Sequence, residues 1–149
     1  MLKIESLTMK FGGVVACNSF NAEVKKGQIV GLIGPNGAGK TTIFNVVTGV
    51  YKPAEGRVVF SPRDYEKHEL VGLSPDKIAK LGVCRTFQNI RLFNHLSVLE
   101  NVFIGSHLRI KSDVFSTVLR LPHYVAEERE NYEKSMYLLE KIGLQDFKD

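Results

Sequence analysis

Gly34-Pro35-Asn36-Gly37-Ala38-Gly39-Lys40-Thr41-Thr42 is the stretch on which the fold turns. It fits G-x-x-x-x-G-K-[ST] and stands where that pattern carries meaning, after an apolar run and at the opening of a helical one. With glycine at about 7% of residues, a chance match somewhere in a chain of this size has odds of roughly one in 200. Upstream, Ile29-Val30-Gly31-Leu32-Ile33 is nearly continuous in apolar residues, the pattern of a strand buried on both faces of a parallel sheet. Downstream, Lys40 to Thr48 carries Ile43, Val46 and Val47 at helical spacing and closes at Gly49, where a left-handed residue is expected. The order is strand, glycine loop, helix.

The residue types follow from what phosphate needs. Glycines without a Cβ let successive backbone N–H groups converge on phosphate oxygens, and the helix N-terminus adds partial positive charge. Gly34, Pro35, Asn36, Gly37, Ala38 and Gly39 would form the cradle. Lys40 would reach the β and γ phosphates as a point charge, Thr41 would complete the shell of a Mg²⁺ held mainly by phosphate and water, and Thr42 would bond a phosphate oxygen. The loop implies a nucleoside triphosphate and leaves kinase, GTPase, motor, helicase and transporter open.

Around this centre the chain divides in character. Leu2 and Ile4, then Phe20, Ala22 and Val24, alternate with polar neighbours, as in a half-buried antiparallel sheet, and Lys25-Lys26-Gly27 turns the chain. Lys52-Pro53-Ala54-Glu55-Gly56 reads as a turn, Val58-Val59-Phe60 as a short strand and Ser61 to Glu69 as a surface loop. Ser74-Pro75-Asp76 opens a short helix through about Lys80, and Val83 to Phe87 resembles a strand. From about residue 89 the chain is helical. Ser97-Val98-Leu99-Glu100 matches a capping box, and a longer helix runs to about Ile142 with Tyr132, Met136 and Leu139 on one face.

Composition excludes several classes. The chain has 149 residues, 44% hydrophobic and 24% charged, which suits a globular domain and not a disordered or coiled-coil one. Cys17 and Cys84 have no CxxC or His-coupled spacing, so a reducing compartment suits them and no disulfide or zinc framework is indicated. Cys84 reads as a small buried hydrophobe. His68, His95, His107 and His123 lack ligand spacing and read as packed or solvated. No apolar run approaches the roughly 18 residues of a spanning helix, and the N-terminus lacks a signal-peptide core, so neither export nor membrane embedding is expected. The net charge of +4 is spread without a basic block or interleaved aromatics, so no nucleic-acid partner is indicated.

Taken with Gly82-Val83-Cys84-Arg85-Thr86-Phe87-Gln88, the loop makes the chain resemble the ATP-binding subunit of an ABC transporter, in order from residue 1 to 149. Arg85-Thr86-Phe87-Gln88-Asn89 with Arg91-Leu92-Phe93, Ser97-Val98-Leu99-Glu100-Asn101-Val102 and Ile142-Gly143-Leu144 resemble the branched-chain amino acid uptake ATPases within that family. The resemblance implies an α/β fold, a P-loop core with an antiparallel β subdomain over 1–88 and an incomplete helical subdomain over 89–149. It implies ATP and Mg²⁺ as ligands, Phe11 as the aromatic that stacks on adenine, and Gln88 as the glutamine that bonds the Mg²⁺ shell or the attacking water. Read from the residues alone, Phe11 also fits a loop with one apolar anchor, and Gln88 a surface side chain.

The resemblance further implies a second ATP-binding subunit and transmembrane permease subunits, docked near Gln88, Arg91, Leu92, Phe93 and Leu96 by a helix-in-groove contact. Leu92, Phe93 and Leu96 equally suit a role in seating the helical subdomain. A cytoplasmic protein, peripheral on the inner face of the cell membrane, is implied. The sequence departs from the family where Ser61 to Leu73 runs a few residues long. A signature loop, an apolar strand ending in Asp-Glu and a switch histidine are not found, and in the family these lie beyond the point where this sequence stops. The chain is therefore expected to be the front part of a longer protein. A soluble P-loop kinase, a non-transport ABC ATPase and a nucleotide-binding fragment without turnover are the rival readings.

Overall fold

A computed structural model describes residues 1–63, 65–87, 90–106, 117 and 119–148. The chain divides into two compact units, Met1–Thr86 and Phe87–Asp149.

The first unit is built on an antiparallel sheet in which β1 (Leu2–Phe11) lies between β2 (Val14–Val24) and β3 (Glu55–Phe60), with β4 (His68–Glu69) at the outer edge of β3. Strands β1 and β2 form a hairpin around Gly12 and Gly13, with Leu2 opposite Val24 and Phe11 opposite Val14. Strand β3 pairs with the other edge of β1, Ile4 facing Val58. The hairpin is irregular at Ser6 and Ser19, which have left-handed backbones with φ of 49° and 47°. Side chains satisfy the two N–H groups there: Ser6 N–H donates to Asn21 Oδ1 at 2.9 Å and Ser19 N–H to the buried Thr8 Oγ1 at 3.0 Å. The irregularities therefore cost no unpaired backbone donor at these two residues.

Helix α1 (Lys40–Val47) buries Ile43, Val46 and Val47 in a core with Ile4, Leu7, Met9, Val58, Leu70 and Ile78. Each such aliphatic side chain contributes about 1.5–3 kcal/mol on burial. The spacing read from the sequence is the one the core uses, and Gly49, with φ 75°, ends the helix as expected. Helix α2 (Pro75–Lys80) starts at Ser74, whose hydroxyl bonds the Asp76 carboxyl and holds it below its ordinary range.

The structure corrects four expectations between Ile29 and Phe87. Ile29 to Ile33 forms no strand; Ile29 and Ile33 are 99% and 94% exposed. An apolar run becomes a strand only beside a hydrogen-bonding neighbour, and among the described residues none of the sheet's strands lies against it. Val83 to Phe87 is likewise irregular, and Cys84 within it is exposed, not a buried hydrophobe. The stretch read as a loop from Ser61 ends in a short strand, β4 (His68–Glu69), paired with Val59 and Phe60 of β3.

In the second unit, α3 (Val98–Gly105) begins at the expected capping box. Ser97 Oγ accepts from Glu100 N–H at 3.2 Å and Glu100 Oε2 accepts from Ser97 N–H at 2.8 Å. Helix α4 (Pro122–Lys141) ends where the sequence reading placed it, but its buried line is Asn131, Ser135 and Leu139, while Tyr132 is 44% exposed. A helical face rotated by one residue from the apolar reading explains the difference: small and polar side chains take the close-packed positions. No helix among the described residues is long and apolar enough to cross a membrane.

Candidate functional site

The loop from Gly34 to Gly39 opens directly into α1. Ala38 N–H donates to Pro35 O at 3.2 Å, and Gly37 and Gly39 adopt φ of 84° and 79°. Gly39 is required for a second reason: a Cβ there would lie 2.3 Å from Ala16 O and 3.3 Å from Ala16 C, both backbone atoms of β2. The loop is thus seated on the hairpin. A cavity of about 250 Å³ opens on it, lined by Ala16 and by Asn36, Gly37, Ala38, Lys40, Thr41 and Thr42 with their backbone.

The electrostatics of this cavity are one-sided. Gly39, at the N-terminal end of α1, offers no side chain to cap the helix, and no acid stands in the first turn. The first N–H groups of the helix consequently keep their partial positive charge. Lys40 Nζ donates to Gly34 O at 2.7 Å and Pro35 O at 2.6 Å. Lys3, Lys10, Arg57, Arg129 and Lys134 bond carboxylates, but among the described residues no carboxylate pairs with Lys40. Its charge stands un-neutralised at the mouth of an anion-sized cradle. Thr41 is exposed there and Thr42 half-buried.

Donor chemistry bears on a metal ion as well. No cluster of His, Cys, Asp or Glu suited to a metal occurs among the described residues. The hydroxyl of Thr41 is the kind of single hard-oxygen ligand that Mg²⁺ takes alongside phosphate oxygens and water.

Phe11 closes β1 beside the hairpin tip, 43% exposed, with Tyr51 edge-to-face at 5.2 Å between ring centroids and 78° between planes. Ala16, which lines the cavity, lies between Val15 and Cys17, whose partners on β1 are Lys10 and Met9. Phe11 is therefore the next residue along β1 at the same end of the hairpin. Tyr51 and Ala16 carry no sequence signal of this kind, because their roles come from register and packing. Gln88 and Asn89 lie outside the described residues, as does His107.

The residues read as a docking surface belong to the second unit. Leu92, Phe93 and Leu96 are 63%, 58% and 37% exposed, and Arg91 is also exposed. Leu92, Phe93 and Leu96, with Ile90, Val98 and Leu139, line an apolar cavity of about 540 Å³. His68 Nε2 lies 2.9 Å from Glu66 Oε1, an ordinary surface pair.

Comparison with known proteins agrees with this arrangement. Residues 17–149 match the family described as ABC transporter. The chain is 42% identical to the high-affinity branched-chain amino acid transport ATP-binding protein LivG of Salmonella typhimurium, over 97% of this chain and 54% of that protein. It is 40% identical to the corresponding protein BraF of Pseudomonas aeruginosa, over 99% of this chain and 56% of the relative. The chain thus spans about half the length of the curated relatives it matches. A crystal structure of a nucleotide-free ATP-binding cassette from an ABC transporter superposes with a TM-score of 0.74 at 32% identity, covering 100% of this chain and 56% of that one. One of an ATP-binding cassette in its ADP conformation gives 0.75 at 30%, with the same coverage. With an uncapped phosphate-type loop on an α/β fold of the ABC ATPase type and a family match over most of its length, this chain belongs to the ABC transporter family.

Proposed function

We propose that the chain supplies the nucleotide-holding part of the ATP-binding subunit of an importer for a small solute, with branched-chain amino acids as the solute class. The observation that carries this reading is the placement of Lys40, un-neutralised and held by the Gly34 and Pro35 carbonyls over the free N-terminus of α1. Phosphate oxygens satisfy at once the donors that the loop leaves unmatched. Gly34 to Gly39 enclose the phosphates, Lys40 bears on the β and γ groups, Thr41 ligates Mg²⁺, Thr42 bonds a phosphate oxygen and Phe11 stacks on the base. Gln88 is assigned to the metal shell and the attacking water. Mg²⁺ when bound neutralises charge on the phosphates.

In this reading residues 1–88 are the front of the catalytic core and 89–149 part of the helical subdomain. Hydrolysis belongs to the complete subunit paired with a second copy, cytoplasmic and peripheral on the inner face of the membrane. The names of LivG and BraF support the solute class. The permease is assigned to the surface around Gln88, Arg91, Leu92, Phe93 and Leu96, because exposed apolar side chains grouped on one irregular segment suit a helix-in-groove partner.

Isothermal titration of the complete subunit with ATP and with GTP tests the base site. Phe11→Ala is expected to weaken both by about 1–3 kcal/mol, since stacking reads the π-face and not the base edge, while Phe11→Tyr changes little. Undiminished affinity in Phe11→Ala would remove Phe11 from the site. A second test concerns the partner. Leu92→Ser with Phe93→Ser is expected to abolish co-purification of the permease, and full recovery of permease with this variant would sink the docking assignment.

A further inference from the structure

Between Phe87 and α3 the chain has no regular structure among the described residues, yet it holds its apolar side chains outward. Such a segment would ordinarily collapse or fray, since nothing in its sequence fixes the backbone. One side chain supplies the missing order. Asn101, on α3, accepts at Oδ1 from Phe93 N–H at 2.9 Å. Its Nδ2 donates to Phe93 O at 3.1 Å, Leu96 O at 3.2 Å and Ser97 O at 2.9 Å. Both backbone groups of Phe93 are thus paired with one amide, as they would be with a neighbouring strand. The turn closed by Leu96 N–H on Phe93 O at 3.0 Å is pinned to the same helix.

We propose that Asn101 is the positioning residue that presents Leu92 and Phe93 to the permease, a proposal that rests on the docking assignment above. A side-chain amide carries an acceptor oxygen and an NH₂ donor side by side, so it can return both an acceptor and a donor to one residue's backbone. An aspartate of the same shape keeps the acceptor for Phe93 N–H but turns a carboxylate oxygen toward the carbonyls of Phe93, Leu96 and Ser97. Asn101 also lines the cavity, but these side-chain hydrogen bonds all go to the backbone of Phe93, Leu96 and Ser97. Its contribution is to remove the ordering cost of the segment before the partner arrives.

The test uses the complete subunit, with Asn101→Asp and Asn101→Ala beside the Leu92→Ser, Phe93→Ser variant, each co-expressed with the permease. Readouts are permease affinity, amide hydrogen exchange at Phe93 and basal ATP turnover of the separate subunit. Both Asn101 variants are expected to bind the permease about tenfold more weakly, to exchange the Phe93 amide faster in Asn101→Ala, and to retain basal turnover. Wild-type permease affinity in both Asn101 variants, with loss in Leu92→Ser, Phe93→Ser, would overturn the role of Asn101 and leave the docking surface standing. Retained affinity in Leu92→Ser, Phe93→Ser would overturn the docking surface itself, and the role of Asn101 with it. Loss of basal turnover along with permease binding in Asn101→Asp would show a general structural role and equally overturn the proposal.

Discussion

Lys40→Ala in the complete subunit is expected to lower ATP turnover by about 10²–10³, the loss typical of removing one preorganised group from the charge that builds in a transition state. The fold has no comparable stake in this side chain. Gly34 O and Pro35 O, which accept from Nζ, lie in an exposed loop, and water replaces the ammonium there at little cost. The loss therefore falls on function alone: steady-state Mg²⁺-dependent ATPase activity collapses, nucleotide affinity weakens and thermal unfolding stays near the wild-type temperature. Lys40→Arg should not restore activity, because the planar fork of a guanidinium cannot take the place of a compact ammonium bonded to two carbonyls. Wild-type turnover in Lys40→Ala would show that the loop does not hold the reacting phosphates.

What could be read in the sequence was what is decided locally. The Ser97 and Glu100 capping pair, the termination of α1 at Gly49 and the Ile43, Val46, Val47 stripe each depend on residues within a turn or two, and each is present in the structure. The loop proposed to hold phosphate belongs to the same class, since its glycines and lysine are contiguous. Strands beyond the hairpin were harder. Ile29 to Ile33 and Val83 to Phe87 have strand-like composition, but pairing depends on a distant partner that composition does not reveal. Cys84 shares the fate of its segment: without a strand to bury it, the thiol is exposed. The contact made by Ala16 and the bonding role of Asn101 carry no local signal for another reason: the alanine acts through its carbonyl and the asparagine on backbone groups, neither of which depends on the residue types around it.

Gly39→Ala is expected to be among the most damaging single-methyl additions in the chain, and Gly37→Ala supplies its control. The two glycines share a loop and nearly the same left-handed backbone, with φ of 79° and 84°. Each alanine would carry a conformational cost of about 1–2 kcal/mol. Around Gly37 a Cβ meets nothing within 4 Å, whereas at Gly39 it meets Ala16 O at 2.3 Å. That oxygen belongs to Ala16, the extra residue of a bulge in β2 flanked by the Val15–Lys10 and Cys17–Met9 pairs, so moving it disturbs the hairpin pairing on both sides. The collision adds about 1–3 kcal/mol of overpacking. Relief by lifting the loop off the hairpin would turn the N–H groups of α1 away from the position proposed for the phosphates. Denaturant unfolding should thus rank wild type, Gly37→Ala and Gly39→Ala in falling stability, and ATP titration should show the larger loss of affinity for Gly39→Ala. Equal effects of the two substitutions would mean that the contact with Ala16 does not seat the loop.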